Sequence, residues 1–230
     1  MNQTTVNQPK TRPTSLKEHN FPIESFIAGW YIPEKICDDL VNHFESNRDK
    51  QYQGTVNANP NDTEFKKTAE EIEVAEGTRI RQVEYESKKS IDMGFEPAKH
   101  EKDAEILDEY FKYLNLVIQE YEFKYPNVKQ LAHYGTTEGL NIQKYNPGDG
   151  FYEWHQERNG QSTMTRCLVH MTYLNDVDDG GTEFWFQKLT SPAKKGLTLI
   201  WPSDWTHLHR GQISKTNTKY ILTGWLNYRE

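Results

Sequence analysis

Three side chains in the second half of the chain could hold a metal ion. His155 and Glu157 lie two residues apart in Tyr152-Glu153-Trp154-His155-Gln156-Glu157, and His209 follows 54 residues after the first histidine. In an extended strand, residues i and i+2 share a face. One imidazole nitrogen and one carboxylate oxygen can therefore converge on one ion, with His209 as a third ligand. Two histidines and one carboxylate leave the other coordination positions open. That donor set suits a non-haem Fe(II) centre that admits oxygen and a co-substrate. Strand parity alone leaves two rivals in place: Glu153 shares the face of His155, and His207 shares the face of His209.

Charge then asks for a cation. One anionic ligand leaves a divalent ion with a single net positive charge, which a chelating 2-oxo acid would neutralise. If that acid carries a second carboxylate, its charge lies in a partly apolar barrel and is costly unless paired. Lys219 opens the run KYILTGWLNY, whose neighbours are mostly uncharged. On one strand face it lines up with Ile221, Thr223 and Trp225.

The elements that must position these groups follow from hydrophobic period. Ile36, Cys37, Leu40, Val41 and Phe44 recur at helical spacing after Pro33, which predicts a helix over 34–46. Leu107, Tyr110, Phe111, Leu114, Val117, Ile118 and Tyr121 predict a second over about 100–124, ended by Pro126. Residues 1–20 are polar and read as a flexible arm. Residues 47–77 read as a surface excursion with a short helix near Thr63–Ile72, 78–86 as a strand and 87–100 as loop. The two loop segments are candidate lids that select substrate. Strand-like runs then follow at 139–146, 151–156, 165–174, 182–187, 196–201, 205–209 and 219–228, separated by the turn signals NPGDG, NDVDDGG and SPAKKG. Helices first and many short strands later predict an α+β chain with a jelly-roll core. The expected layout is an arm over 1–20 and a single domain over 21–230, with helical support at 26–126 and the barrel mainly at 139–228.

The segments NIQKYNPGDGFYEWHQE, RCLVHMTYLNDVDDGGTEF, KKGLTLIWPSDWTHLHRGQIS and TKYILTGW together resemble the 2-oxoglutarate- and Fe(II)-dependent dioxygenases. The closest resemblance is to the prolyl 4-hydroxylase-like branch, including uncharacterised members found in phages. It covers roughly residues 139–228 and implies a double-stranded β-helix, a distorted jelly roll. It implies His155, Glu157 and His209 as iron ligands, favouring Glu157 over Glu153 and His209 over His207. Lys219 would pair with the far carboxylate of 2-oxoglutarate and Tyr145 would help to hold it. Thr182 would lie near the co-substrate, and Trp225 would line the pocket. Arg166 matches a family arginine, read as a group behind the site or on its substrate side, and equally as a plain surface residue. The implied reaction consumes O2, hydroxylates a peptidyl (including prolyl) or small-molecule substrate, and releases succinate and CO2, with ascorbate as an optional reductant. Glu157 departs from the family's usual aspartate by one methylene. That departure keeps a second reading in view: a non-catalytic jelly-roll sensor or structural protein that binds a metal or a 2-oxo acid.

Other residues carry blander expectations. His170 reads as a hydrogen-bonded core group, Trp154, Trp185, Trp201 and Trp205 as barrel packing, and Lys88-Lys89 as solvated surface. A formal charge of −7 argues against a phosphate-backbone binder, so nucleic acid is disfavoured as a partner. No apolar run approaches the length of a membrane span. The N-terminal stretch lacks the apolar segment of an export signal, and two cysteines make no disulfide framework. The expected location is the cytoplasm, the host's if the chain is phage-encoded.

Overall fold

The computed structural model describes residues 11–54, 56, 57, 71, 72, 81, 82, 86–95, 101–130 and 132–229. In chain order the elements are β1 (Lys17–His19), β2 (Ala28–Tyr31), α1 (Glu34–Ser46), β3 (Tyr52–Gln53), β4 (Val56–Asn57), β5 (Glu71–Ile72), β6 (Arg81–Gln82), β7 (Ile91–Gly94), α2 (Glu101–Lys124), β8 (His133–Thr136), β9 (Asn141–Tyr145), β10 (Arg166–Tyr173), β11 (Val177–Phe184), β12 (Leu189–Ala193), β13 (Leu197–Pro202), β14 (His209–Gly211) and β15 (Lys219–Arg229). The larger sheet runs β1-β2-β13-β10-β15-β9-β7-β3, with β8 on the far half of β15; the smaller runs β12-β11-β14. The paired strands are antiparallel throughout. The two sheets face one another as a jelly roll.

Side-chain alternation separates two cores. From β10, Val169, Met171 and Tyr173 point between the sheets, where they meet Phe184, Leu199, Trp201 and Ile221. Leu168 on the same strand points the other way, into a cluster with Leu40, Phe44, Tyr110, Leu114 and Tyr121 from the helices. Both helices therefore lie on the outer face of the larger sheet. α1 follows Pro33, whose missing N–H suits a helix start, and its buried residues Ile36, Cys37, Leu40 and Phe44 hold the expected spacing. His170 is fully buried on this helix side, 3.4 Å from the Tyr110 hydroxyl. Burial alone pushes its pKa down to about 3, so the ring is a neutral core group.

Several expectations change. The expected arm is ordered from Arg12, whose guanidinium meets Glu120 of α2 at 2.7 Å, and Lys17–His19 pairs with β2. The N-terminal support is not purely helical, because β2 inserts between β1 and β13 and β7 adds to β9. Residues 91–94, read as loop, are thus part of the larger sheet. Residues 175–181, read as a turn, mostly belong to β11, where a register shift between Val177 and Thr182 absorbs the Asp-Asp-Gly-Gly run. Trp201 is buried, but Trp185 and Trp205 are 55% and 63% exposed, so they are not barrel packing. The helix expected near Thr63–Ile72 and most of the 47–77 segment lie outside the described residues. So do His100 and most of the strand expected over 78–86. Among the described residues, no helix is long and apolar enough to cross a membrane.

Candidate metal centre and co-substrate pocket

Residues 151–157 do not form the ladder strand that alternation predicts. Phe151 and His155 make isolated bridges, to Lys88 and His209 respectively. The remaining backbone donors turn to loops: Tyr152 N–H donates to Ser87 O at 2.8 Å, and Glu157 and Arg158 N–H both donate to Ser203 O, at 3.2 and 3.0 Å. The Arg158 guanidinium also clasps Asp204. The segment is therefore pinned by residues 203–209 at several separate points, and this brings His155 and Glu157 beside His209.

The three ligand atoms lie within 4.8 Å of one another. Glu157 Oε1 is 3.5 Å from the Nε2 atoms of both His155 and His209. Each imidazole is oriented from behind by a carbonyl: Nδ1 of His155 is 3.0 Å from Glu153 O, and Nδ1 of His209 is 2.9 Å from His207 O. An Nδ1–H donated to a carbonyl fixes the tautomer in which Nε2 offers its lone pair to an ion. Burial, then the neighbouring His155, pushes the His209 pKa below its usual value, so this ring is the neutral partner. Burial opposes ionisation of Glu157, but hydrogen bonds to His155 and His209 outweigh it and hold the carboxyl well below its usual range. The Phe151 ring stacks on His155 at 3.7 Å, and Trp201 lies edge-on to His209 at 5.1 Å.

The second oxygen of Glu157 has its own partners. Oε2 accepts from Trp225 Nε1 at 3.0 Å and from Arg166 Nη1 at 3.3 Å. The same guanidinium grips Glu138 through two hydrogen bonds, at 2.8 and 2.7 Å, and stacks on the Trp225 ring at 3.5 Å. Arg166 is buried and lines the same cavity, so it is not a plain surface residue. Trp225 lines the cavity, as expected from its strand face, and also holds the carboxylate. The longer glutamate side chain is thus fixed at one oxygen while the other faces the two histidines.

Lys219 faces the same cavity, which encloses about 950 Å³ and is also lined by His155, Glu157, His209 and Trp225. Its strand partner is Tyr145, and its Nζ sits 5.1 Å from that ring's centre. Nζ donates to Gln212 O at 2.9 Å. Burial pulls the Lys219 pKa down to about 8, and the charge of Asp179 partly opposes this. Burial, followed by the charges of Asp92 and Glu157, raises the Tyr145 hydroxyl well above its usual value. It stays protonated and donates to Gln143 Oε1 at 2.6 Å. Thr182 lines the cavity with its hydroxyl 2.7 Å from that of Tyr173.

The rivals separate cleanly. Glu153 offers its backbone carbonyl to His155. His207 lies in a 3-10 turn over Trp205–His207, where the expected strand parity does not hold, and its Nε2 sits 2.9 Å from Ser25 O. Glu138 and Gln143 had not been singled out. Gln143 shares the strand face of Tyr145 by parity, so the sequence held a signal for it; Glu138 precedes β9 and had none.

The sequence profile of the 2OG-Fe(II) oxygenase superfamily matches residues 140–227. No curated protein matches the sequence. Among solved structures, the 2OG complex of a viral collagen prolyl hydroxylase from Paramecium Bursaria Chlorella virus-1 is similar, with a TM-score of 0.54 at 17% identity, covering 87% of this chain and 95% of that one. A Pseudomonas putida prolyl-4-hydroxylase gives a TM-score of 0.57 at 13% identity, covering 90% and 94%. At such identities these neighbours speak for the fold. The profile match spans the three clustered donors and Lys219, so residues 140–227 are similar to the 2OG-Fe(II) oxygenase superfamily, and the solved neighbours share the fold.

Proposed function

We propose that this protein is a 2-oxoglutarate-dependent hydroxylase in which His155, Glu157 and His209 hold Fe(II) and Lys219 holds the far carboxylate of 2-oxoglutarate. The carrying observation is that the clustered His-Glu-His donors and a buried lysine face one cavity. The donor set fits the ion: a neutral imidazole, a second imidazole tied through Nδ1, and an ionised carboxylate on one side of an open space. When bound, iron and 2-oxoglutarate supply the oxidation, with O2 consumed, succinate and CO2 released and one oxygen atom passed to a substrate C–H.

The chain's own groups do the positioning. Arg166 and Trp225 fix Glu157 Oε2, so Oε1 is aimed before an ion arrives. The Lys219 ammonium offsets the burial of the distal carboxylate. Tyr145, kept protonated, would turn its one O–H from Gln143 Oε1 to that carboxylate. Phe151 and Trp201 pack against the ligand rings and keep water from them. A peptidyl substrate, including a prolyl one, is the reading taken from the neighbours' names; a small molecule is the second.

Purified protein with Fe(II), ascorbate and 2-oxoglutarate is expected to form succinate, slowly without a substrate and faster with one. His155→Ala and His209→Ala are each expected to abolish iron retention. Folded protein that neither binds iron nor forms succinate would refute the proposal. Iron-dependent 2-oxoglutarate binding with no oxygen consumption would favour a sensor instead.

A further inference from the structure

Residues 86–95 run along the cavity wall from the 150–152 loop to β9 of the larger sheet. Lys89 N–H donates to Gly150 O at 2.9 Å, and Lys88 bridges Phe151, the residue whose ring stacks on His155. Four residues on, Asp92 pairs with Gln143 of β9. Lys88 was expected on a solvated surface, yet both it and Asp92 are buried in the cavity wall. Their side chains meet at 2.7 Å with 4% and 2% exposure.

The two partners are unequally served. The Asp92 carboxylate is filled: Oδ2 accepts from Lys88 and from Asn141 Nδ2 at 3.0 Å, and Oδ1 accepts from Ser90 Oγ at 2.7 Å. Gly54 closes over this side, since a Cβ there would stand 2.0 Å from Ser90 Oγ. An ammonium has three N–H donors, and among the described residues Asp92 is the one side-chain acceptor for Lys88. Buried donors without acceptors are costly. An acceptor arriving in the cavity would relieve that cost.

Charge selects the kind of acceptor. Arg166 already lies between Glu138 and Glu157, and Lys88 is already neutralised by Asp92. A carboxylate brought to this wall would be a buried charge without a counter-ion. A neutral carbonyl oxygen would take the idle N–H groups and leave the balance unchanged. We propose that Lys88, seated by Asp92, determines substrate choice in this protein by donating to a neutral amide carbonyl of the substrate. The proposal rests on the hydroxylase reading above.

The test titrates a panel of N-acetyl amino-acid methylamides and the matching N-acetyl amino acids into protein loaded with Fe(II) and 2-oxoglutarate under nitrogen, read by calorimetry. At least one methylamide is expected to bind wild type, with its free acid at least tenfold weaker. Lys88→Met is expected to lose at least tenfold in affinity for that amide, and Lys88→Arg to recover part of it. The proposal is overturned if no methylamide binds, if the free acids bind as well as the amides, or if Lys88→Met binds the amide like wild type. The amide-to-acid ratio is measured on wild type alone, so it decides even where a variant does not fold. Failure of wild type to bind 2-oxoglutarate with iron would instead overturn the hydroxylase reading.

Discussion

Replacing Lys219 by methionine is expected to make the protein more stable and its co-substrate affinity far worse. Lys219 is 4% exposed, and burial lowers its pKa from 10.5 to about 8. The unfolded chain keeps the ordinary value, so at pH above about 8 the unfolded state binds more protons and stability rises with pH until about 10.5. Below that window both states are charged, and the folded state bears a burial cost of roughly 3 kcal/mol. Methionine removes that cost and loses the hydrogen bond to Gln212 O, worth about 1 kcal/mol. The net gain near neutral pH is about 1–3 kcal/mol, or roughly 2–12 °C in Tm for a chain of this size. The opposite effect appears in binding, because the distal carboxylate would lie buried and unpaired at a cost of about 3–5 kcal/mol. That raises the Kd for 2-oxoglutarate by about 100-fold to several thousand-fold. In wild type the Kd is expected to be flat below pH 8 and to rise about tenfold per unit as the pH climbs through the lysine's value of about 8; the variant is expected to be flat throughout. Calorimetry on iron-loaded protein under nitrogen reads the Kd, and thermal melts of unliganded protein read stability. A change in Kd below tenfold, or a lowered Tm, would refute the reasoning.

Arg166→Met removes the 3.3 Å contact to Glu157 Oε2 and the cation over Trp225; iron affinity is expected to fall by about 10–100-fold in a chelator competition assay. Glu157→Asp restores the family's usual acid, yet it is expected to weaken iron binding at least tenfold in the same assay, because one oxygen is anchored at Trp225 Nε1 and the shorter chain cannot also reach both histidines. Tighter binding in that variant would show that the anchoring is unimportant. Gly224→Ala places a Cβ 2.3 Å from Leu140 Cδ2 and 2.7 Å from His170 Nε2, and urea melts are expected to show a loss of about 1–3 kcal/mol.

The long elements were legible because each carries its own period. β10 and β13 are near-continuous apolar runs bounded by turn signals, and both helices keep one apolar face, so their bounds fall close to those expected. β1, β2, β3 and β7 were missed because two to four residues hold too little alternation to read, and backbone pairing with a distant strand decides their state. β11 was hidden by its composition: Asp178, Asp179, Gly180 and Gly181 read as a turn, while the register shift lets them run as strand. His155, Glu157, His209 and Lys219 were visible as types at telling spacings. The groups around them were less visible, because Glu138 and the Lys88–Asp92 pair lie far from the motif in sequence and look like ordinary surface charge.

His155 and His209 exchange both of their backbone hydrogen bonds, at 3.0 Å each, and no ladder continues on either side. The flank of β14, a strand of three residues, is thus shielded by a single rung. An ion held by both side chains would tie that rung from within, so the proposed metal site would double as a seam in the barrel wall. Chelation is then expected to speed amide exchange and protease nicking around Trp154–Glu157 before any global unfolding. It would also bare an edge onto which another molecule can add a strand. Clumping of metal-stripped preparations would begin at this seam, and limited proteolysis with and without chelator would locate it.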